Sequence, residues 1–306
     1  MTLFEITINQ LTQFFMMLVA GYFMAKIKLV RQEALGDLSK LITKVFLPAA
    51  IFSSTYNGAD RKMLLEGLPV LGLTALMYLF LTVTFFLISK LLQMKGEKAK
   101  VFQALFIFGN TGFVGLPLLQ ALYPQNGVLC LALFSVIDQM ILWTYGIYLT
   151  DNKNSRSIDF KKFLNPALIV LVFTCIFILL DIKIPSVVRD TVGTMGKACT
   201  AVCMIYLGAL ACFSDIGKAV KSKEVYVGIA VKMIIFPLLV CTAVSGMKML
   251  DGDMRNSLVI LSALPTMTAI PVLVQNGGNE GEYAIGATML TFIAGMATLP
   301  WVVSIL

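Results

Sequence analysis

Apolar segments long enough to cross a bilayer recur along the whole chain, and no other feature of the sequence constrains the fold as strongly. A helix needs about 20 apolar residues to span a hydrocarbon core about 30 Å thick. Hydrophobic residues make up 58% of the 306 positions and charged residues only 13%, whereas soluble domains carry about 25% charged residues. We therefore expect an all-α polytopic membrane protein surrounded by the lipid bilayer.

The apolar segments predict ten transmembrane helices joined by short loops. The first segment lacks a basic stretch before it and a cleavage site after it, so we expect a retained span rather than a signal peptide. We divide the chain into a first half at 1–150, a cytoplasmic linker at 151–165 and a second half at 166–306. The predicted spans are 4–25, 36–54, 65–92, 99–123, 127–150, 166–180, 187–213, 224–247, 254–275 and 281–303.

The loops differ in their content of Lys and Arg, and this difference predicts an orientation. Loops on the cytoplasmic side of a membrane carry an excess of these residues. The loops after the first, third, fifth and seventh spans are the basic ones, whereas the loop after the ninth span carries only Glu280 and Glu282 as charged residues. We therefore predict a multi-pass protein of the cytoplasmic membrane with both termini outside the cytoplasm.

Charge and composition exclude several classes of function. The formal net charge is +7, but the basic residues lie in short loops between apolar segments, so we expect no nucleic-acid partner. The chain has no histidine, which excludes a His-based catalytic triad and His metal ligands. Cys199 and Cys203 lie one helical turn apart in an apolar segment, where helix packing explains them better than a soft metal. We expect no metal, no cofactor and no enzymatic activity.

Two related segments lie at equivalent places in the two halves. Residues 109–119 read GNTGFVGLPLL, and residues 264–273 read LPTMTAIPVL. Placing Pro117 on Pro271 also superposes the glycines that begin the following spans. A five-helix unit used twice must enter the membrane in opposite directions, because five is odd. We therefore predict two inverted five-helix repeats, which are typical of secondary transporters.

The same two segments predict interrupted helices, because Gly and Pro break helices and unpaired backbone groups are unfavourable in lipid. Breaks at corresponding places in both halves are the best sequence indication of a transporter's binding site. A half-helix that begins at mid-membrane presents free N–H groups and a positive dipole end, which attract an anion such as a carboxylate. Asn110 would cap the second half of the fourth span or donate its amide to the ligand. The predicted substrate site comprises Asn110, Thr111, Gly112, Gly115, Pro117, Pro265, Thr266, Thr268 and Pro271.

Packing is the alternative explanation for residues of this kind. At the two interrupted segments a proline kink would only shape packing, although matched breaks in both halves favour a site. We expect Pro48 to kink a supporting helix. Small residues in the seventh span predict close contact with a neighbouring helix: Gly193, Gly196, Ala198, Gly208 and Ala209.

Asp138 and Gln139 lie near the middle of the fifth span. A carboxylate at that depth is unfavourable and is usually functional or paired. Asp138 could take up a proton, or ligate sodium together with backbone carbonyls. The equal alternative is a structural ion pair with Lys232 in the eighth span or Lys197 in the seventh. Lys197 is also placed centrally enough to face the substrate path.

The run at 110–118, followed in the second half by the run at 262–265, resembles the auxin efflux carrier family. That family includes the plant PIN carriers and bacterial permeases for malate and malonate. The resemblance covers essentially the whole chain, including Leu47-Pro48 in the second span. The sequence departs from the plant pattern because no Asn follows Pro265, and its short loop between the fifth and sixth spans is similar to that of bacterial members.

The resemblance implies the fold shared by sodium–proton antiporters and bile-acid symporters. In that fold the fourth and ninth spans cross as broken helices. Spans one, two, six and seven form a scaffold, often a homodimer interface, and the other six form a transport domain that moves like an elevator. The function implied is secondary transport of small organic anions, with Asn110 contacting the anion and a proton or sodium as coupling ion.

Two alternatives stay open on the sequence. A sodium-coupled organic-anion symporter of the same fold would draw ion ligands from Asn110, Asp138 and Gln275. A membrane receptor or scaffold without transport is the other alternative. Matched helix breaks argue against it, because they have no evident role in such a protein.

Overall fold

The computed structural model describes residues 2–58, 61–151, 166–214 and 217–306 and is helical throughout this part of the chain. The predicted linker at 151–165 lies outside the described residues, apart from Asp151. The first half contains α1 (Leu3–Lys26), α2 (Ala34–Leu41), α3 (Leu47–Gly58), α4 (Arg61–Glu66), α5 (Pro69–Leu91), α6 (Gly96–Ile107), α7 (Leu116–Leu122), α8 (Asn126–Ile141) and α9 (Ile147–Thr150). The second half contains α10 (Pro166–Leu179), α11 (Ser186–Cys212), α12 (Gly217–Val220), α13 (Lys223–Ala230), α14 (Phe236–Ser245), α15 (Gly252–Ser262), α16 (Ala269–Asn276) and α17 (Gly281–Val303).

Short π-helical turns link several of these helices. Ile42–Phe46 joins α2 to α3, Thr111–Gly115 leads into α7, Leu142–Gly146 joins α8 to α9, and Val231–Ile235 joins α13 to α14. Turns of this kind occur frequently at functional sites. Two of them contain residues already singled out from the sequence, namely Thr111 and Lys232.

Within the described ranges, five helices are long and apolar enough to cross a membrane. They confirm an all-helical, polytopic membrane protein. A shorter apolar helix occupies Thr111–Leu122. Two of them combine two named helices with the π-helical turn between them: α8 and α9 form one, and α13 and α14 form the other. The five are Pro69–Leu91, Asn126–Thr150, Ser186–Cys212, Lys223–Ser245 and Gly281–Val303.

Most helix ends lie within three residues of the predicted ends, whereas the end of the second span and the start of the third each differ by four residues. The sequence predicted a start at Leu65, but the structure has a separate short helix, α4, followed by a turn before Pro69. Proline is favoured in the first turn of a helix because it has no N–H to leave unpaired there. The helix therefore begins at the proline, although the apolar residues begin earlier.

One group of helices consists of α1, α3, α10 and α11. Gly208 of α11 lies so close to α1 that a Cβ there would meet the carbonyl oxygen of Leu18 at 1.8 Å. Gly21 of α1 lies equally close to α11, because a Cβ there would lie 2.1 Å from the carbonyl oxygen of Ile205. The two backbones touch through this reciprocal pair of glycines, which is how small residues bring membrane helices together.

Helix α11 also packs closely on α3, again through a glycine. A Cβ at Gly196 would lie 2.8 Å from the Cα of Ala50, and one at Gly193 would lie 3.2 Å from the hydroxyl of Ser53. Helix α10 packs on the same α3. The predicted packing role of Gly193, Gly196 and Gly208 is thus confirmed.

A second group is built around α5, α6, α7, α8, α9 and the remaining helices of the second half. Its core includes a cluster of the aromatic rings of Phe85, Phe102 and Phe106 between α5 and α6. Lys98 at the start of α6 forms an ion pair of 2.5 Å with Glu224 of α13, which joins the two halves of the chain. The two helix groups meet mainly where α1 contacts α7 and α17 and where α3 contacts α8.

The helix starts repeat along the chain at the predicted offset. The shift that places Pro117 on Pro271 also carries Pro69, the first residue of α5, onto Lys223, the first residue of α13. It brings the first residue of α8 to within one position of Gly281, where α17 begins. The helical segmentation of the two halves therefore matches at these positions.

Candidate functional site

Both predicted interruptions are present as breaks in the backbone. Helix α6 ends at Ile107, and the chain continues through an extended residue, Phe108, before turning helical again at Thr111. Helix α15 ends at Ser262, and α16 begins only at Ala269. Each break contains a residue suited to it, because Gly109 has no side chain to restrict its backbone and Pro265 has no N–H.

The two breaks meet and pair with one another. Gly109 and Thr266 form an isolated antiparallel bridge. On either side of it, the N–H of Asn110 donates to the carbonyl of Pro265 at 2.8 Å, and the N–H of Met267 donates to the carbonyl of Phe108 at 2.9 Å. Backbone groups released by one break thus find partners in the other, as non-helical backbone at membrane depth requires.

The glycines of the first segment allow close packing around this junction. A Cβ at Gly115 would lie 2.9 Å from Cδ1 of Leu264, which belongs to the second break. A Cβ at Gly112 would lie 2.9 Å from Cδ1 of Leu47, at the start of α3. These two predicted site residues therefore bring neighbouring segments together rather than offer a polar group.

The side chain of Asn110 has one engaged polar atom and one without a partner among the described residues. Its Oδ1 accepts the backbone N–H of Phe113 at 3.1 Å and so caps the helix that follows. The residue is 1% exposed, and its Nδ2 has no hydrogen-bond partner among the described residues. Buried amides are rarely left unpaired, so this donor needs an acceptor from outside the described residues, such as a water molecule or a ligand.

The three threonines of the predicted site differ in what they bind. The hydroxyl of Thr266 donates to the carbonyl of Leu105 at 2.7 Å, and that of Thr111 donates to Asp138 at 3.4 Å. Thr268 is 2% exposed, and its hydroxyl has no partner within the described part of the chain. Thr268, at the start of α16, is therefore the threonine whose hydroxyl is available to a ligand.

The three prolines are all buried. Pro117 lies in the first turn of α7 and Pro271 in the first turn of α16, where proline is compatible with a helix. Pro265 lies in the second break, and its carbonyl is engaged by Asn110. They shape the two half-helices that begin at the junction.

Asp138 is fully buried in α8 and is held by several donors. The Tyr78 hydroxyl of α5 makes a short hydrogen bond to one carboxylate oxygen. The other oxygen accepts from Thr111 and, at 3.1 Å, from Nε2 of Gln139. Trp143 in turn donates to Gln139 at 3.1 Å. Thr111 directly follows Asn110, so this carboxylate is connected to the first helix break.

The ion pair considered for Asp138 is absent from the described residues. Lys232 is 5% exposed in the π-helical turn before α14, and its ammonium group lies 5.2 Å from the centre of the Phe236 ring. It interacts electrostatically with Asp138 without contacting it. Lys197 is exposed on α11. A structural salt bridge therefore does not explain the buried carboxylate.

Other predicted ligands lie away from this cluster. Gln275, proposed for a sodium site, is exposed near the end of α16. The sulfur atoms of Cys199 and Cys203 are 3.9 Å apart and buried in α11, and no group of three or more metal-ligating side chains occurs among the described residues.

Sequence reasoning missed Tyr78 and Trp143, because it considered charged, amide and threonine side chains inside the spans but not the polar groups of aromatic residues. A signal was present. A buried tyrosine or tryptophan usually pairs its polar tip, and both residues fall in apolar spans where polar partners are few.

Comparison with known families then gives the class of function. The profile described as membrane transport protein matches residues 6–159 and 153–303, which together cover almost the whole chain. The chain belongs to this family of membrane transport proteins. The match confirms the resemblance to the auxin efflux carrier family and the expectation of a transporter rather than an enzyme.

Two relatives are themselves described as uncharacterized transporters. The present chain is 26% identical over 269 residues to a relative from Methanocaldococcus jannaschii. The alignment covers 84% of this chain and 85% of the relative. The chain is 24% identical over 151 residues to one from Schizosaccharomyces pombe, covering 42% of this chain and 32% of the relative. Both likenesses are to transporters, and the first extends over most of each chain.

Proposed function

We propose that the transporter is a secondary active carrier of small organic anions that binds its substrate where the two helix breaks meet. The observation that carries the proposal is the buried Nδ2 of Asn110, which has no partner in the described ranges. Leaving such a donor unpaired costs about 1–3 kcal/mol. A carboxylate oxygen of a bound substrate would supply the missing acceptor.

The surroundings of Asn110 favour an anion over a cation or a neutral solute. Two half-helices begin at the junction, and their N-terminal ends carry a partial positive charge. Thr268, at one of these ends, supplies a second unpartnered donor. Both free groups can donate to carboxylate oxygens, so a small carboxylate fits the chemistry best.

The buried carboxylate of Asp138 supports coupling to a cation. It accepts a hydrogen bond from Thr111, the residue that directly follows Asn110, and the described residues give it no ion pair. Two negative charges in one buried region repel each other, so a substrate anion and a proton or sodium ion at Asp138 would assist each other's binding. Sodium coupling stands as the alternative to proton coupling.

The proposal includes an architecture. Ten spans would form two inverted five-helix repeats, with both termini outside the cytoplasm. The group α1, α3, α10 and α11 would serve as scaffold and homodimer interface, and the second helix group would move against it as an elevator. The close glycine contacts within the first group and the few helices that join the two groups support this division.

Uptake into proteoliposomes tests the function. Purified protein would be assayed with labelled dicarboxylates, monocarboxylates and indole acids, under an imposed proton gradient or an imposed sodium gradient. Gradient-driven accumulation of a carboxylate is the expected result, and the effective gradient identifies the coupling ion. Saturable binding of a carboxylate without any uptake would point instead to a receptor or scaffold.

A further inference from the structure

A cavity of about 260 Å³ lies between α1, α11 and α17, and we call it the lateral cavity. One wall is a stripe of α1 that extends from Leu11 to Tyr22, and the opposite wall is a stripe of α17 from Met289 to Leu299. A helix rises 1.5 Å per residue, so each stripe is about 15 Å long. The cavity is therefore elongated along the helices that line it.

The lining of the lateral cavity is apolar. None of the described residues that line it carries a charge, an amide or an aliphatic hydroxyl, and Tyr22 alone among them has a polar side-chain group. A water molecule in a cavity needs several polar partners, and an anion needs paired donors. The lateral cavity is thus unsuited to water or to the charged part of a substrate.

The cavity opens at the outer surface of the molecule, between apolar helices. Phe15 on the α1 wall is 42% exposed, and Ile293 on the α17 wall is 60% exposed. Both belong to apolar helices, and α17 is long enough to cross the membrane. In a bilayer, exposed apolar side chains at this depth contact acyl chains, so lipid is the apolar phase continuous with the cavity.

We propose that the lateral cavity binds one acyl chain of a bilayer lipid. Its length along the helices, its apolar lining and its lateral opening all match a single chain lying roughly parallel to the helix axes. The lining of the cavity also includes Val114 and Pro265, one buried residue from each broken segment. The chain would fill the space between the two helix groups next to the helix breaks, which makes lipid part of this interface.

Fluorescence quenching by brominated lipid tests the proposal without reference to transport. The natural tryptophans would be removed by Trp143→Phe and Trp301→Phe, and a single probe introduced by Phe292→Trp on the cavity wall. Leu79→Trp provides the matched control, because Leu79 is 62% exposed on α5 and does not line the cavity. The full-length protein in detergent would be titrated with brominated phosphatidylcholine.

We expect the probe at position 292 to reach half-maximal quenching at a lipid concentration at least three-fold lower than the probe at position 79. Ala211→Phe fills the cavity from α11 and should abolish that difference while leaving the control unchanged. Val19→Phe fills it from α1 and serves the same purpose if the first variant does not fold. Equal quenching at both positions, or strong quenching at position 292 by aqueous acrylamide, would overturn the proposal.

Discussion

Asn110 donates its backbone N–H to the carbonyl oxygen of Pro265 at 2.8 Å, which ties the first helix break to the second. The bond holds the Asn110 backbone in place and leaves its side chain with two separate tasks. Oδ1 caps the helix that follows, and Nδ2 is buried without a partner among the described residues. Substitutions can therefore separate a structural role of this residue from a role in binding.

Asn110→Ser should retain the cap and lose the amide donor. Serine is about as good an N-cap as asparagine, so we expect thermal stability near that of the wild type but uptake reduced at least ten-fold. Asn110→Ala loses both groups, and it should abolish transport and cost about 1 kcal/mol of stability. Uptake in proteoliposomes and thermal unfolding of the same preparations measure the two effects.

Asn57→Ala is the matched control for this pair. Asn57 is exposed on α3, and among the described residues its amide donates to Ser53 of the same helix. Its replacement should leave uptake unchanged. Wild-type uptake by Asn110→Ser would remove the amide donor from the binding site.

Replacement by valine should have different effects on stability at the two threonines of the second break. Thr268→Val removes a hydroxyl that has no protein partner in the described ranges, so stability should be unchanged or higher while substrate affinity falls. Thr266→Val removes the donor to the Leu105 carbonyl and should destabilise the protein by about 1–3 kcal/mol. Thermal unfolding with and without a transported carboxylate separates the two cases. If Thr268→Val keeps full affinity, its hydroxyl is not a ligand.

The positions of most helices and of both breaks could be predicted because they depend on local properties of the sequence. An apolar segment of sufficient length predicts a span, and Gly109 and Pro265 interrupt helices wherever they occur. The start of the third span was misplaced because hydropathy does not register the turn that precedes Pro69.

The partners of individual side chains could not be predicted in this way. Thr111, Thr266 and Thr268 are chemically equivalent in the sequence, yet the first binds Asp138, the second binds a carbonyl of α6, and the third has no partner in the described part of the chain. Those partners come from other helices, so they depend on packing. The same reason explains why the bond from Tyr78 to Asp138 was not foreseen.

The contact between α1 and α11 should be intolerant of any side chain at its glycines. In Gly208→Ala the new Cβ would overlap the Leu18 carbonyl oxygen, so the helices must separate and folded protein should be lost or strongly destabilised. Gly72→Ala is the control, because nothing lies within 4 Å of a Cβ there, and alanine is favoured over glycine in a helix by about 1 kcal/mol. Yield of monodisperse protein and melting temperature compare the two; equal melting temperatures would contradict the close contact.

Coupling should depend on Asp138 and on the donors that hold it. Asp138→Asn preserves size and can still accept from Tyr78, but it cannot carry the charge that binds a cation. We expect accumulation driven by an ion gradient to be lost, whereas exchange of labelled for unlabelled substrate persists.

Tyr78→Phe keeps the carboxylate and removes one donor, so accumulation should survive with a changed dependence on proton or sodium concentration. Both variants should still fold, because each replacement keeps the size of the side chain and the described residues show no salt bridge at Asp138. Failure of Asp138→Asn to fold would instead assign the carboxylate a structural role, and unchanged accumulation would exclude it from coupling.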